Sequence, residues 1–580
     1  MNIRLNILTT MTLGVALSGL ADEYYVKELK FPAQADSATK IEMAARVVPN
    51  PQQLAWQERE LTAFLHFGMN TFTNREWGDG KEEPTLFNPV GLDTDQWVKT
   101  LKDAGFKMVI LTAKHHDGFC LWPTASTAHS VASSKWRDGK GDVVADLRKS
   151  CDKYGMKLGI YLSPWDRNAP CYGDSPRYND LFVAQLTELL SNYGKIDEVW
   201  FDGACGEGPN GKKQVYDWLR YRETMRRLQP DAVLAITGDD VRWVGNEGGV
   251  GRETEWSVTP LTPSIFSYAD SANKALGVNE MSKGIGSREM IARSSTVRWW
   301  PSEVDVSIRP GWFYHQSEQP KTLRQLVDIY LQSIGRNSVL LLNVPPDNDG
   351  RIASADSVRL LELRRWIDTN FGPQNNQLGR PTMDVNAVVL EEDITKGQRV
   401  EAFDVEGLVD GQWQTLVSGT TIGKKRILTF PDASADSLRI VVTSTRSTPH
   451  ARLAGAYKIQ LPAVGHQVAG DQFRREEFPQ TRSTNSILIT MPQEESVAGF
   501  IYTPAAKESP IYKYALMVSN DGLKWEEVPT YGEFSNIAAN PISQTIVFDR
   551  PVKAKYACLV GLADTEGKPS ASGVFSLLLK

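Results

Sequence analysis

The sequence predicts an α/β protein. A (β/α)8-type, TIM-like barrel is followed by all-β sandwich modules, and three observations carry the prediction. Short apolar runs alternate with helical patterns over residues 51–375, with a beat of about 30 to 50 residues. Beyond residue 376 helical patterns give way to short alternating runs separated by turn residues. Of 16 tryptophans, fourteen fall between Trp56 and Trp366, and only Trp413 and Trp525 follow, so the two regions differ in composition as well as in pattern.

Residues 1–21 read as a secretory signal. Arg4 supplies the positive start, the stretch to Leu20 is mostly apolar, and Ser18-Gly19-Leu20-Ala21 precedes Asp22-Glu23. No cysteine follows that would take a lipid, and no later run of 18 apolar residues would span a membrane. The expectation is an exported protein, periplasmic or extracellular. A polar lead, 22–50, ends where Pro51 opens a short helix into the first strand. Eight strands are predicted at 61–68, 108–112, 157–162, 198–201, 233–237, 253–258, 296–300 and 338–344. Helical patterns at 94–104, 143–154, 178–193, 215–228 and 323–335 lie between many of them, three ending at Gly105, Gly155 and Gly194. After the fifth run the alternation is less clean, which predicts an irregular second half. A doubly wound sheet is the alternative, but no glycine-rich phosphate loop follows the first strand. The barrel is placed at 51–375, a β-sandwich module at 376–462, a linker at 463–485 and a second sandwich at 486–580. Within the last, Ser519-Asn520-Asp521-Gly522-Leu523-Lys524-Trp525 resembles a turn of discoidin-like sandwiches.

Charge and cysteine content exclude several classes. Lys plus Arg number 64 against 70 Asp plus Glu, a net charge of −6, where a phosphate-gripping protein carries a basic excess, so no nucleic-acid partner is expected. Five cysteines show no metal-ligand spacing and read as buried thiols or at most one pair. His129, His315, His450 and His466 have no partner pattern and read as structural or exposed.

The reactive groups of such a barrel come from the C-terminal ends of its strands. Here these ends carry His66, Lys114-His115-His116-Asp117, Tyr161, Trp200-Phe201-Asp202-Gly203, Gly245-Asn246-Glu247-Gly248-Gly249, Glu253, Glu255 and Trp299-Trp300 with Glu303 and Asp305. Such a set suits a sugar. Indole faces stack on the ring's C–H side, while imidazoles and carboxylates bond its hydroxyls. Glycoside hydrolysis needs two carboxyl groups flanking the scissile bond, and Asp202 with one following glutamate meets that need. Adjacent histidines on a strand point to opposite faces and no His-x-His spacing exists, so neither a metal nor a cofactor is expected.

His-Phe-Gly at 66–68, Lys-His-His-Asp-Gly-Phe at 114–119 and Trp-Phe-Asp-Gly at 200–203 resemble glycoside hydrolase family 29, the α-L-fucosidases, over roughly residues 50 to 375. The segments 70–78 and 245–249 are similar to the branch that favours α-1,3 and α-1,4 linkages on Lewis-type glycans. The resemblance implies a retaining exo-acting hydrolase of fucosylated oligosaccharides or glycoconjugates. It gives the nucleophile as Asp202 and the acid/base as Glu247, with Glu253, Glu255 and Glu303 as alternatives. It further implies fucose contacts from His66, His115, His116, Tyr161 and Trp200, packing by Trp312, and help from Glu58 and Trp77. A retaining glycosidase of another specificity and a carbohydrate-binding protein without catalysis are the competing readings.

Overall fold

The computed structural model describes residues 28–464 and 473–580. The predicted signal at 1–21 and His466 lie outside them.

Eight parallel strands form the central sheet, in the order Val233–Ile236, Glu198–Phe201, Lys157–Leu162, Met108–Lys114, Leu61–Leu65, Val339–Asn343, Ser302–Ser307 and Arg242–Trp243. The ladder is open between the first and last of these, where the Val241 N–H donates to the Leu234 carbonyl at 3.3 Å. Side chains alternate between two cores, as the period of two requires. Phe64, Met108, Ile110, Tyr161, Trp200 and Leu341 share the interior cluster. Ala63, Val109, Leu111, Ile160, Val199 and Leu342 pack outward on the helices. Trp56, from the helix Pro51–Gln57 that precedes the first strand, plugs the N-terminal end, and its indole N–H donates to Glu198 Oε2 at 2.7 Å.

The first five predicted strands are present, and so is the one near 338–344. The predicted sixth and seventh are not barrel strands. Val258–Thr259 and Thr296–Trp299 pair antiparallel in a separate three-stranded sheet with Glu28–Lys30 from the lead segment. Their apolar faces close on the helices Ser37–Ala44 and Arg288–Arg293 in a satellite core. The barrel instead takes the two-residue strand Arg242–Trp243 and the strand Ser302–Ser307, which starts just after Pro301. Trp299 and Trp300 are therefore fully buried in satellite cores, and Trp299 donates to Gln57 Oε1 at 2.8 Å.

The helix Ser354–Phe371 closes the barrel. Two three-stranded antiparallel sheets follow, one centred on Met383–Glu392 and the other on Val400–Val409, with Val388, Leu390, Phe403 and Val405 between them. The last module is a seven-stranded sheet whose long strands Ser486–Thr503 and Gln544–Asp564 shift register where Thr490 gives way to Glu495, which lets one ladder wrap a single core. Its strands begin earlier than the predicted 486, because Arg474–Glu476 and Gln480–Arg482, placed in the linker by sequence, belong to this sheet. The five cysteines are free thiols. Among the described residues no helix is long and apolar enough to cross a membrane.

Candidate active site

A cavity of about 450 Å³ opens at the C-terminal ends of the barrel strands. Strand periodicity explains its floor. Glu198, Trp200 and Asp202 fall on one face at successive two-residue steps, and Gly159 and Tyr161 on the neighbouring strand share their level. The Tyr161 hydroxyl donates to Asp202 Oδ2 at 3.0 Å, and the Ala204 N–H donates to Asp202 Oδ1 at 2.8 Å. The Asp202 carboxylate is thereby fixed through both oxygens, with His116 Nε2 3.8 Å from Oδ2.

Three imidazoles line the wall, and their partners assign their tautomers. Asn343 spends its amide N–H groups on Ser307 Oγ and the Trp312 carbonyl, so its Oδ1 accepts from His66 Nδ1 at 2.8 Å. His66 Nε2 is left as an acceptor. Ser163 donates to the Trp165 carbonyl at 2.8 Å and accepts from His116 Nδ1 at 2.7 Å, which gives His116 the same tautomer. The Asn70 amide points at His115 Nδ1 from 3.5 Å, leaving His115 Nε2–H as a donor. Burial pushes all three below the ordinary histidine range, His66 to about 4, so the wall is neutral near pH 7. His115 and His116 both line the cavity, with ring centroids 4.1 Å apart. This corrects the strand-based expectation of opposite faces: regular pairing ends at Lys114, and the two residues lie in the turn beyond it. Among the described residues no group of three His, Cys, Asp or Glu side chains is arranged to hold a metal ion.

Of the four candidate glutamates, Glu247 alone lines the cavity. Glu255 is buried between Arg242 and Arg252, Glu253 pairs with Arg336 and Arg426 outside the cavity, and Glu303 lies beneath Trp200, whose indole N–H it accepts at 2.8 Å. Glu247 stands in the predicted Gly-Asn-Glu-Gly-Gly loop. Gly245 and Gly249 there adopt φ of 98° and 79°, and a side chain on Gly249 would run into Ile329. Burial raises the Glu247 carboxyl above the ordinary range, opposed by hydrogen bonds from Asn536 and Trp312 and reinforced by Asp202 and Glu76.

Trp312 packs on His66 with centroids 5.1 Å apart, and its indole N–H reaches Glu247 Oε2 at 3.3 Å. Trp77 is 57 % exposed at the rim, edge-on to His116 and Trp165, and free to present a face to a ligand. Glu58 is the one predicted site residue the fold sets apart. It caps the helix that leads into the first strand, at the opposite end of the barrel, and is exposed. Asp305, at the predicted end of the seventh strand, and Glu280, which no sequence pattern marks, also line the cavity, and burial raises both, Asp305 to about 8. Glu76 holds the loop behind Trp312, accepting from the backbone N–H of Trp312 at 2.8 Å and of Phe313 at 3.1 Å. His315, expected to be structural or exposed, is buried and bonds Glu76 Oε1 at 2.8 Å.

A barrel whose C-terminal mouth joins four carboxyl groups, Asp202 and Glu247 among them, with neutral imidazoles and indoles has the makings of a glycoside hydrolase. The α-L-fucosidase family profile matches residues 49–371, and the F5/8 type C domain profile matches 475–573. Alpha-L-fucosidase 1 of Arabidopsis thaliana is 40 % identical over 460 residues, which cover 71 % of this chain and 87 % of that one. A Bacteroides ovatus crystal structure assigned to the α-L-fucosidases is 51 % identical with a TM-score of 0.75, covering 96 % of this chain and all of its own. A Ruminococcus gnavus family 29 fucosidase solved in complex with fucose is 31 % identical with a TM-score of 0.63, covering 74 % of this chain and 97 % of its own. The chain belongs to glycoside hydrolase family 29, the α-L-fucosidases.

Proposed function

We propose that this enzyme is a retaining exo-α-L-fucosidase that removes terminal α-1,3- and α-1,4-linked L-fucose from branched glycans. The observation that carries the mechanism is that Glu247 opens onto the same cavity as Asp202 while Glu253, Glu255 and Glu303 are turned away. Asp202, held by Tyr161 and a backbone N–H, attacks the anomeric carbon as the bond to the leaving oxygen breaks. Glu247 gives its proton to that oxygen, and its raised carboxyl keeps the proton available in the approach to neutral pH. In the second half Glu247 takes a proton from water, whose oxygen displaces Asp202 and returns the sugar with its configuration retained. His66 and His116 accept from sugar hydroxyls and His115 donates to one, while Trp200 and Trp312 pack against the ring. No cofactor enters any step.

The linkage preference rests on the segments 70–78 and 245–249, and the sugar identity is supported by the fucose complex of the Ruminococcus gnavus relative. Export is proposed from the apolar segment at 1–21 and is tested by sequencing the N-terminus of the mature protein from its host. The activity is tested on the purified full-length protein with an aryl α-L-fucoside, Lewis-type trisaccharides and an α-1,2-fucosylated trisaccharide. Release of fucose from the Lewis-type sugars, with the α-anomer first by NMR, is expected. Equal rates on the α-1,2 linkage refute the linkage preference, the β-anomer first refutes retention, and no fucose from any substrate refutes the activity.

A further inference from the structure

The last β module does not merely follow the barrel; one of its loops reaches the active site. Asn536 Nδ2 donates to Glu247 Oε2 at 2.8 Å, across 289 positions of sequence. Around this contact the module is fastened to the loop that carries Trp312. Tyr531 stacks on His315 with centroids 3.9 Å apart and planes at 18°, and His315 in turn bonds Glu76, which holds the backbone of Trp312 and Phe313. Gly311 backs onto the same loop so tightly that a Cβ there would lie 3.0 Å from Ser535 Cβ. Backbone groups also cross the junction: Val547 N–H donates to the Ser317 carbonyl at 2.9 Å, and Glu318 bridges to Ile546. Asn536 itself is pinned. Its φ of 52° is a left-handed conformation that asparagine tolerates, its carbonyl accepts from Asn540 N–H at 2.9 Å, and Gln544 Nε2 donates to the adjacent Ser535 carbonyl at 2.8 Å.

We infer that the C-terminal F5/8 type C module completes the leaving-group side of the catalytic pocket, with Asn536 acting as the positioning residue for Glu247. The role rests on the reading of Glu247 as acid/base. Two N–H donors, Asn536 Nδ2 and Trp312 Nε1, converge on Oε2, so that oxygen is engaged as an acceptor and the transferable proton sits on Oε1, which has no donor among the described residues. The module thus selects which carboxyl oxygen faces the leaving group and fixes its angle. The titratable groups that share the cavity with Glu247 are Asp202, Asp305, Glu280 and the buried imidazoles of His66, His115 and His116, with Glu76 behind Trp312; Asp202 and Glu76 add to the rise of its carboxyl, and the donors from Asn536 and Trp312 oppose it.

The test uses the full-length enzyme with Asn536→Gly, which removes the donor and suits the backbone, and Asn536→Asp, which keeps the shape and replaces the donor by an acidic group. Glu247→Ala is measured alongside. In Asn536→Gly the basic limb of the kcat/KM profile moves up by roughly half to one pH unit, and in Asn536→Asp it moves further in the same direction. Turnover of a fucosylated oligosaccharide falls about tenfold, while an activated aryl fucoside, which needs little acid assistance, changes less than about threefold. A limb that stays in place in both variants, with equal losses on the two substrates, overturns the role of Asn536 provided Glu247→Ala still discriminates between leaving groups. If Glu247→Ala loses both substrates equally, the acid/base reading fails, and the role given to Asn536 fails with it.

Discussion

Beneath the sugar pocket, the barrel interior holds a pair of carboxyl groups whose ionisation links stability to pH. Glu198 and Glu303 are both fully buried; Trp56 donates to one and Trp200 to the other, at 2.7 and 2.8 Å. Burial raises Glu198 from 4.5 to about 7, and burial with repulsion from Glu198 raises Glu303 well above its ordinary range, so a proton is held between them. The unfolded chain releases that proton near pH 4.5. The stabilisation from the pair is therefore complete below that pH and is lost as pH rises through about 7. A displacement from 4.5 to about 7 corresponds to about 3 kcal/mol. In Glu198→Gln the amide oxygen keeps the Trp56 bond, and both the displaced carboxyl and the repulsion it exerts on Glu303 are gone, which removes the penalty. Thermal melts from about pH 5 to pH 8 should show the native enzyme losing roughly 2 to 4 °C more than the variant. Asp117 and Asp305, also raised, to about 7 and about 8, are present in both proteins and cancel in the comparison. Parallel melting curves across that range would refute the shared-proton reasoning.

Asp202→Ala should lower kcat on an aryl fucoside by about 10³-fold or more, with azide restoring part of the rate as a fucosyl azide; undiminished activity removes Asp202 from the nucleophile role. Trp77→Ala, at the exposed rim, should raise KM for a branched oligosaccharide about tenfold while leaving kcat on an aryl fucoside within about twofold, as Michaelis curves on the two substrates will show. Glu58→Ala should leave both parameters within about twofold, because its side chain is exposed at the opposite end of the barrel; a loss above tenfold on either substrate contradicts that placement.

Much of the site was legible because strand periodicity and motif coincide there. Leu61–Leu65 ends one residue before His66, and Glu198–Phe201 ends one residue before Asp202, so each motif residue continues the inward-facing series. The second half of the barrel resisted for a specific reason. In Ser302–Ser307 the inward positions are Glu303 and Asp305, and the outward ones are Val304 and Val306, which pack on the helices. Polar residues facing inward and apolar ones outward read from sequence as a strand end rather than as a strand. The more apolar run at 296–300 gives the stronger strand signal. Arg242–Trp243 is two residues long and carries no periodic signal at all. Asn536 could not have been found by local pattern, since its significance lies in a contact with a residue in another domain. The discoidin-like turn at 519–525 did foretell the kind of module that brings it, and the matching profile begins at 475, inside the stretch read as linker.

These features share one electrostatic logic. Burial at the barrel mouth pushes His66, His115 and His116 toward their neutral forms, and it pushes Glu247, Glu280 and Asp305 toward theirs. Burial thus weakens the charged form of both classes, so the cavity offers donors and acceptors for hydroxyl groups and no basic field that would attract a polyanion. A neutral deoxy sugar loses little on entering such a site. The carboxyl that changes its charge during the proposed reaction is partly buried and faces fixed dipoles. Asn536 and Trp312 are two of those dipoles, aimed at Glu247 as its proton leaves, so their bonds strengthen as the carboxylate develops. Stabilisation that grows along the reaction coordinate lowers the barrier rather than the ground state. On this argument the F5/8 type C module acts on turnover as well as on the architecture that surrounds it.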